Sequence, residues 1–416
     1  ASTRGCGRIR AAAFWWMTKR RHCRRRIHLS SLSTTRFEAA NPGTTLPRQT
    51  RCFGWSVFRN QYVSTKDAGK SSARGVWWMC KQAMKISIAM ATYNGAEYLE
   101  AQLKSLAAQT HLPDELVVTD DSSTDGTVEI LQRFAESAPF PVRIHRNDHK
   151  LGYCGNFNQA LLRTTGDLVF ISDQDDVWFP EKIERMASFA VRHPQALVMM
   201  NDAVLTHADL SESGLTKLGQ IRSAGFKEYS FVMGCCAAVR RDLLDLCLPI
   251  PEGFGAHDSW VVGIADGLGR KRILPVALQY YRRHEQNESQ WIVNRTTRVT
   301  RWSVRVDRWK RSLARQRSLR TESRKRESLE SSPEWLLRQW AKQTLTSVPA
   351  AYAADLRRYY ERLDLKLKTK ARRVAIRSLP FAARPSAVRK LWMDGEYAVR
   401  SGWKLALRDL IGKKLN

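Results

Sequence analysis

Four short apolar segments alternate with segments of helical period between residues 85 and 172, and this alternation constrains the fold most strongly. It predicts strands over residues 85–92, 116–119, 142–145 and 168–172. It also predicts a helix that Asn94 caps, with Glu97 as its return partner, and that ends near residue 108. Thr124 or Asp125 is predicted to cap a second helix, and a third begins at Asn156. Strands that alternate with helices favour an α/β fold with a Rossmann-like, mostly parallel sheet flanked by helices.

Polar clusters follow three of these strands directly. They are Thr92-Tyr93-Asn94, Asp120-Asp121 and Asp173-Gln174-Asp175-Asp176. In open α/β sheets, ligands bind beyond the carboxyl ends of the strands. These clusters are therefore the candidate site.

The cluster at residues 173–176 carries three carboxylates within four residues. Carboxylates this close repel one another unless a cation, a basic partner or raised pKa values relieve the repulsion. Their oxygens suit Mg²⁺ or Mn²⁺, and a divalent cation shared with a diphosphate would stabilise the charge on a leaving group. The alternative is a solvated loop that caps the helix near Pro180. The position at a strand end favours the metal site.

Three further polar positions carry both a chemical and a structural interpretation. One carboxylate of Asp120-Asp121 can accept a hydrogen bond from a pyrimidine base, or both can belong to a turn. Asp258 can act as a general base or can cap the helix over residues 260–265. His284 can ligate a metal or contact a phosphate, and it is equally compatible with an ordinary surface histidine.

The chain has 416 residues and a formal net charge of +29, and this charge is unevenly distributed. Residues 1–84 carry +15, residues 85–290 carry −7, and residues 291–416 carry +21. A nucleic-acid enzyme normally carries positive charge around its own site. The acidic central segment therefore argues against nucleic acid as the partner, although the basic flanks leave weak RNA binding open.

These charge differences coincide with three predicted regions. Residues 1–84 show no sustained period, and we interpret them as a disordered basic arm or as upstream sequence before a natural start at Met79 or Met84. Residues 85–290 form the α/β domain. Residues 291–416 form a basic helical extension. The eight scattered cysteines fit reduced thiols of a cytoplasmic protein.

The stretch from residue 388 to residue 411 repeats apolar side chains at helical spacing, with Arg and Lys among them. It contains Val388, Leu391, Trp392, Val399, Trp403, Leu407, Leu410 and Ile411. Such a stretch can lie on an anionic membrane surface, or it can pack on the α/β domain with a solvated basic face.

Residues 85–290 resemble a family 2 glycosyltransferase of the GT-A fold, in particular the rhamnosyltransferase-like branch of cell-surface polysaccharide synthesis. The resemblance rests on the order and spacing of several motifs. They are ATYNG at 91–95, DDSSTDGT at 120–127, Asn147 with Leu151-Gly152, DQDDVW at 173–178, Gly234-Cys235, HDSW at 257–260 and YRRHEQN at 281–287.

This resemblance implies a role for each matching position. Nucleotide contacts would come from Thr92, Tyr93, Asn94, Asp121 and Asp173. Asp173, Asp175 and His284 would lie at the Mg²⁺ or Mn²⁺ site, with Asp175 as the main ligand and Asp176 the least defined of the three acids. Asp258 would deprotonate the acceptor hydroxyl.

The resemblance also implies the reaction. It would be an inverting transfer of a sugar, rhamnose as the first choice, from a dTDP- or UDP-sugar to a lipid-linked saccharide. The place would be the cytoplasm, with a peripheral position at the inner membrane face. Three residues depart from the family pattern, namely Thr119, Ser122 and His257. These departures weaken the resemblance more at the turn and on the acceptor side than on the donor side.

Two other classes stay open at this point. A metal-dependent nucleotidyltransferase would begin with a glycine-rich phosphate loop after the first strand, and residues 91–95 are no such loop. A basic nucleic-acid-binding protein would use the flanks.

Overall fold

The structure is a computed structural model, and only part of the chain is described below. The described residues are 84–285, 287, 289, 291–318, 332–398 and 402–412, without the side chains of 312–318. The predictions about residues 1–83, including the choice of start, lie outside this part and stay predictions.

The first half of the domain follows the predicted alternation. Its elements are β1 (Ile86–Thr92), α1 (Ala96–Ala107), β2 (Glu115–Asp120), α2 (Thr127–Ser137), β3 (Val142–Arg146), α3 (Gly152–Arg163) and β4 (Leu168–Ser172). All four predicted strands are confirmed, and each is followed by a helix or by the acidic cluster.

The second half mixes short strands with helices. Its elements are β5 (Val177–Trp178), α4 (Lys182–Arg192), β6 (Val198–Thr206), β7 (Glu212–Thr216), α5 (Lys217–Ser223), β8 (Ala237–Arg240), α6 (Arg241–Cys247), α7 (His257–Gly267) and β9 (Lys271–Arg282). The helices after it are α8 (Arg301–Ser318), α9 (Pro333–Thr344), α10 (Ala350–Ser378), α11 (Arg384–Met393) and α12 (Gly402–Ile411).

The nine strands of the described part form one sheet in the order β3-β2-β1-β4-β8-β6-β9-β5, with β7 paired to β6. Strands β1 to β4 pair in parallel, and β6 pairs in parallel with β9. Strand β8 lies antiparallel between β4 and β6. Strands β5 and β7 also run against their neighbours. Six of the nine strands therefore share one direction, and the mostly parallel sheet is confirmed.

Alternate residues of the central strands face opposite sides of the sheet, as strand geometry requires. Ile86 and Ile88 of β1 pack in one apolar layer with α1 and α4. Ala89 of β1 packs in the other layer with α3 and α7. Helices α9 and α10 join this second layer through Ala341, Leu356, Tyr359 and Leu363. Both faces are thus covered, and helices α9 and α10 of the extension share this core.

Several local predictions were wrong at the helix starts. The residue before α1 is Gly95, and its cap has no side-chain hydrogen bond. Asn94 instead accepts from the N–H of Thr124 at 2.9 Å and adopts a φ of 44°, which asparagine tolerates better than most residues. The residue before α2 is Gly126. Helix α3 begins at Gly152, four residues before the predicted Asn156.

The predicted apolar stripe near the C-terminus is divided between two environments. Val388 and Leu391 are buried in a small cluster with Tyr397, and Leu410 packs against it. Trp392, Trp403, Leu407 and Ile411 remain between 45% and 64% exposed. Val399 lies outside the described residues. No helix of the described part combines the length and apolarity that a membrane span requires.

Candidate active site

A cavity of about 1030 Å³ opens at the carboxyl ends of β1, β2 and β4. The loop before β8, the first turn of α7 and the residues that follow β9 complete its walls. The predicted site residues that line it are Thr92, Tyr93, Asn94, Asp121, Asp173, Asp175, Asp258 and His284. The fold thus brings together residues that lie nearly 200 positions apart in the chain.

Thr92 and Tyr93 form one end of the cavity, where β1 ends. The buried Thr92 hydroxyl donates to Asp120 at 2.9 Å, and its carbonyl accepts from Asn156 at 3.0 Å. The ring of Tyr93 lies on the surface with the Lys150 ammonium 3.7 Å from its centroid. Gln174 holds the Tyr93 backbone with two hydrogen bonds of 2.9 and 3.0 Å. The middle residue of the Asp173–Asp175 motif therefore fixes the neighbouring loop.

Asp120 and Asp121 are both buried but contact different groups. Asp120 accepts from the Thr92 hydroxyl and from the N–H of Ser123 at 2.8 Å, so it holds the turn. Asp121 accepts from the backbone N–H groups of Leu151 and Gly152 at 2.7 and 2.9 Å, where α3 begins. Because Asp121 also lines the cavity, it is the one of the pair that a ligand can reach.

Asp175 and His284 meet although 109 residues separate them. The pairing of Val177 in β5 with Tyr280 in β9 brings the two segments side by side. The Asp175 carboxylate lies 2.8 Å from His284 Nε2 and 3.0 Å from the Asn287 amide nitrogen. His284 Nε2 also lies 2.9 Å from that amide nitrogen. His284 Nε2 therefore faces both the Asp175 carboxylate, which accepts a hydrogen bond, and the Asn287 amide, which donates one.

Asp173 and Asp176 lie next to Cys235. Their ligand atoms and the Cys235 sulfur lie within 4.8 Å of one another. Burial and the charge of Asp175 raise the pKa of Asp173 to about 7. Burial and both neighbouring acids also raise the pKa of Asp176 well above its usual value. Asp176 accepts from Gln279 at 2.7 Å and lies behind the cavity lining.

Lys182 of α4 supplies positive charge behind the acids. Its ammonium is fully buried and donates to the carbonyl of Cys235 at 2.8 Å and to Gln279 at 2.5 Å. Burial lowers its pKa to about 8, whereas the charges of Asp176 and Asp173 act to raise it. The repulsion among the acids is therefore only partly relieved by the protein itself.

The side chains at this end fit a divalent cation. A carboxylate and an imidazole nitrogen already lie in contact, and two further carboxylates with raised pKa values lie nearby. Carboxylate oxygens and an imidazole nitrogen are common ligands of divalent ions. The predicted ligands are not a single group, however, because Asp175 pairs with His284 while Asp173 groups with Asp176 and Cys235.

Asp258 lines the same cavity from the first turn of α7. That helix begins at His257, so Asp258 is inside it and does not cap it as one prediction allowed. Its carboxylate accepts from the N–H of Ser259 at 2.6 Å, and the positive end of the helix stabilises its charge. His257 is buried and stacks on Phe157 with 3.9 Å between the ring centroids. Burial lowers the pKa of His257 to about 4, so it is neutral at physiological pH.

Sequence reasoning missed several residues of this region. Lys182, Gln279 and Lys217 gave no signal, because charged and amide side chains are usually exposed. Cys235 and Asn287 appeared only inside larger motifs and had no assigned role.

Part of this domain is similar to known proteins. The sequence profile of Glycosyl transferase family 2 matches residues 87–247, which run from β1 to the end of α6. An uncharacterized glycosyltransferase of Nostoc sp. is 30% identical over 214 residues, which cover 49% of this chain and 66% of that protein.

Two relatives whose names state an activity match shorter segments. The dTDP-rhamnosyl transferase RfbG of Shigella flexneri is 36% identical over 99 residues, or 23% of this chain and 34% of the relative. The UDP-Glc:alpha-D-GlcNAc-diphosphoundecaprenol beta-1,3-glucosyltransferase WfgD of Escherichia coli is 28% identical over 122 residues, which cover 29% of this chain and 47% of that protein. The chain thus spans less than two thirds of each of these three relatives. Residues 87–247 thus form a domain of glycosyltransferase family 2.

Proposed function

We propose that this protein transfers a sugar from a nucleoside diphosphate sugar to a hydroxyl group of a saccharide in cell-surface polysaccharide synthesis. The observation that carries the proposal is one cavity lined by both the Asp175–His284 pair and Asp258. This arrangement supplies a place for a diphosphate and a base for an attacking hydroxyl. The nucleotidyltransferase alternative has no comparable support, because residues 87–247 form a domain of a glycosyltransferase family.

Each wall has a role in this proposal. Thr92, Tyr93, Asn94 and Asp121 would bind the nucleotide, with Asp121 facing the base. Asp173, Asp175 and His284 would hold Mg²⁺ or Mn²⁺, which would supply positive charge to the departing diphosphate. Asp258 would accept the proton of the attacking hydroxyl. A single displacement of this kind inverts the configuration at the anomeric carbon.

The donor and acceptor follow from the relatives as proposals. RfbG acts with a dTDP-rhamnosyl donor by its name, and WfgD acts on a lipid-linked acceptor. A dTDP- or UDP-sugar, with rhamnose first, is therefore the proposed donor. A lipid-linked saccharide is the proposed acceptor.

A nucleotide-sugar panel tests the proposed function. We expect at least one dTDP- or UDP-sugar to raise the melting temperature of the full chain in the presence of Mn²⁺. The increase should disappear with EDTA, since the diphosphate would lose its bridging cation. ATP and GTP with Mn²⁺ serve as controls. A melting temperature that rises with ATP but with none of the sugar nucleotides would contradict the proposal.

We also propose that the C-terminal helices contact an anionic membrane surface. The exposed Trp392 and Trp403 lie in a region rich in Arg and Lys, which suits the interface of a negatively charged bilayer. Replacing both by serine is expected to abolish sedimentation with phosphatidylglycerol-containing vesicles. Tyr229→Ser, at an exposed aromatic residue of the α/β domain, is the control. Equal sedimentation of the double variant and the wild type would refute this contact.

A further inference from the structure

Three lysines of the α/β domain are buried, and their hydrogen bonds differ. Lys182 donates to the Cys235 carbonyl and to Gln279. Lys271 donates to the carbonyls of Tyr229 and Phe231. Lys217, at the start of α5, is 1% exposed and has no hydrogen-bond acceptor among the described residues. The contact described for its ammonium is the ring of Trp291, with 4.7 Å to the centroid.

An ammonium group in this position is energetically unfavourable. A buried charge loses its hydration, and hydrogen bonds or a counter-charge normally replace it. Burial accordingly lowers the pKa of Lys217 to about 7. Lys182 and Lys271 show that the same domain provides acceptors where a lysine has a structural role. An unpaired buried polar group calls for another explanation, such as a ligand.

Lys217 lines the same cavity as Asp258. The ionisable groups that act most on its pKa are Cys236 and Cys235, followed by Arg283 and Asp258, whereas Asp173 and Asp175 are not among them. Asn294 also lines this cavity. Its amide nitrogen donates to the Ser289 hydroxyl at 2.7 Å, and its oxygen has no partner among the described residues. Together with the Trp291 ring, these groups offer an aromatic face, a cation and an acceptor.

The charge around Lys217 favours an anion over a neutral hydroxyl. Arg283 lies near enough for its charge to lower the Lys217 pKa further. A sugar hydroxyl can accept a hydrogen bond from Lys217 but adds no negative charge to that of Asp258, which acts on Lys217 together with the opposing charge of Arg283. A phosphate or carboxylate supplies hydrogen-bond acceptors and the opposite charge together.

We propose that Lys217 binds an anionic group, a phosphate or a carboxylate, on the saccharide acceptor whose hydroxyl faces Asp258. The inference rests on the proposed function, because that function places the acceptor hydroxyl at Asp258. It narrows the acceptor class to acidic saccharides, such as a sugar phosphate or a uronic acid. Lys217 would select the acceptor without touching the nucleotide.

Acceptor probes test this selection directly. The full chain would first be saturated with Mn²⁺ and with UDP or dTDP, whichever binds. N-acetylglucosamine 1-phosphate, methyl glucuronoside and methyl glucoside would then be titrated by ligand-observed NMR. We expect the wild type to bind at least one anionic probe about tenfold more tightly than methyl glucoside. The phosphate and carboxylate arms identify the source of the anion.

Lys217→Met should remove this preference and leave the Kd of the nucleotide within about twofold. Lys227→Met is the matched control, because Lys227 is exposed and also lies beside an aromatic ring, that of Tyr229. A Lys217→Met variant that keeps the preference overturns the inference, and so does one that loses nucleotide affinity. A wild type that binds nucleotide but shows no preference overturns the inference alone. A wild type that binds no nucleotide with Mn²⁺ refutes the proposed function.

Thermal stability separates a binding role from a structural one. Lys217→Met removes a buried ammonium that has no hydrogen-bond acceptor among the described residues, so its melting temperature should equal or exceed that of the wild type. Lys182→Met leaves the Cys235 carbonyl and Gln279 without a donor and should melt several degrees lower. If Lys217→Met melts as low as Lys182→Met, Lys217 is structural and the inference is wrong.

Discussion

Replacing Asp175 by alanine is expected to lower kcat/KM for sugar transfer by roughly a thousandfold or more. The Asp175 carboxylate contacts His284 and Asn287 at one wall of the cavity, at the place proposed for the cation and the diphosphate. Without it, the charge that builds on the departing diphosphate loses its main compensation. Initial rates of nucleoside diphosphate release, with saturating Mn²⁺, measure the loss.

The stability of the same variant provides a second test that does not depend on activity. The Asp175 charge raises the pKa of both Asp173 and Asp176, so its removal relieves repulsion. Without added metal, Asp175→Ala should therefore melt no lower than the wild type. Mn²⁺ should raise the melting temperature of the wild type but not that of the variant. Glu136→Ala, at an exposed acid of α2, should behave as the wild type in both assays. Near-normal turnover of Asp175→Ala in EDTA would contradict the proposed site.

The sequence predicted the first half of the sheet because its signals are local. Strands β1 to β4 are short apolar segments, and amphipathic helices connect the first three of them to the strands that follow. The second half depends on pairings that local patterns do not encode. Strand β8 has four residues and lies antiparallel between β4 and β6, which come earlier in the chain. No period in a four-residue segment could predict that position.

The helix starts show a second limit of the sequence. Asn94 and Asp125 have the chemistry of helix caps, but each also contacts the neighbouring loop or helix. Asn94 accepts from Thr124, whereas Asp125 accepts at 3.1 Å from the N–H of Ala96, the first residue of α1, and at 3.1 Å from the N–H of Thr127, the first residue of α2. A capping residue and a loop-bridging residue use the same short polar side chain. The choice between them depends on which loop lies nearby.

The candidate site was likewise predicted only in part from the sequence. Strand ends identified Thr92, Asp121 and the acidic cluster, because each follows an apolar segment directly. The link between Asp175 and His284 needs the pairing of β5 with β9, so only the family resemblance indicated it. Lys217 could not be predicted as buried, since a lysine after a strand is normally on the surface.

Replacing Asp258 by asparagine should reduce kcat by about a hundredfold to ten-thousandfold. Asparagine keeps the size of the side chain and can still accept from the N–H of Ser259, so the first turn of α7 should persist. It cannot take the proton of an acceptor hydroxyl. Because Asp258 is not among the residues proposed to bind the nucleotide, the Kd of the nucleotide with Mn²⁺ should stay within about twofold. Single-turnover rates and nucleotide titrations measure the two quantities.

The combination of these two measurements distinguishes the base from its alternatives. Glu252→Gln is the matched control, because Glu252 is an exposed acid in the loop before α7, and its rate should equal that of the wild type. A residue that only stabilises the helix would lower the melting temperature of Asp258→Asn and change kcat little. A residue that binds donor would raise the nucleotide Kd together with the loss of rate. A general base loses rate while fold and nucleotide binding remain, so either of the other patterns would remove Asp258 from the proposed mechanism.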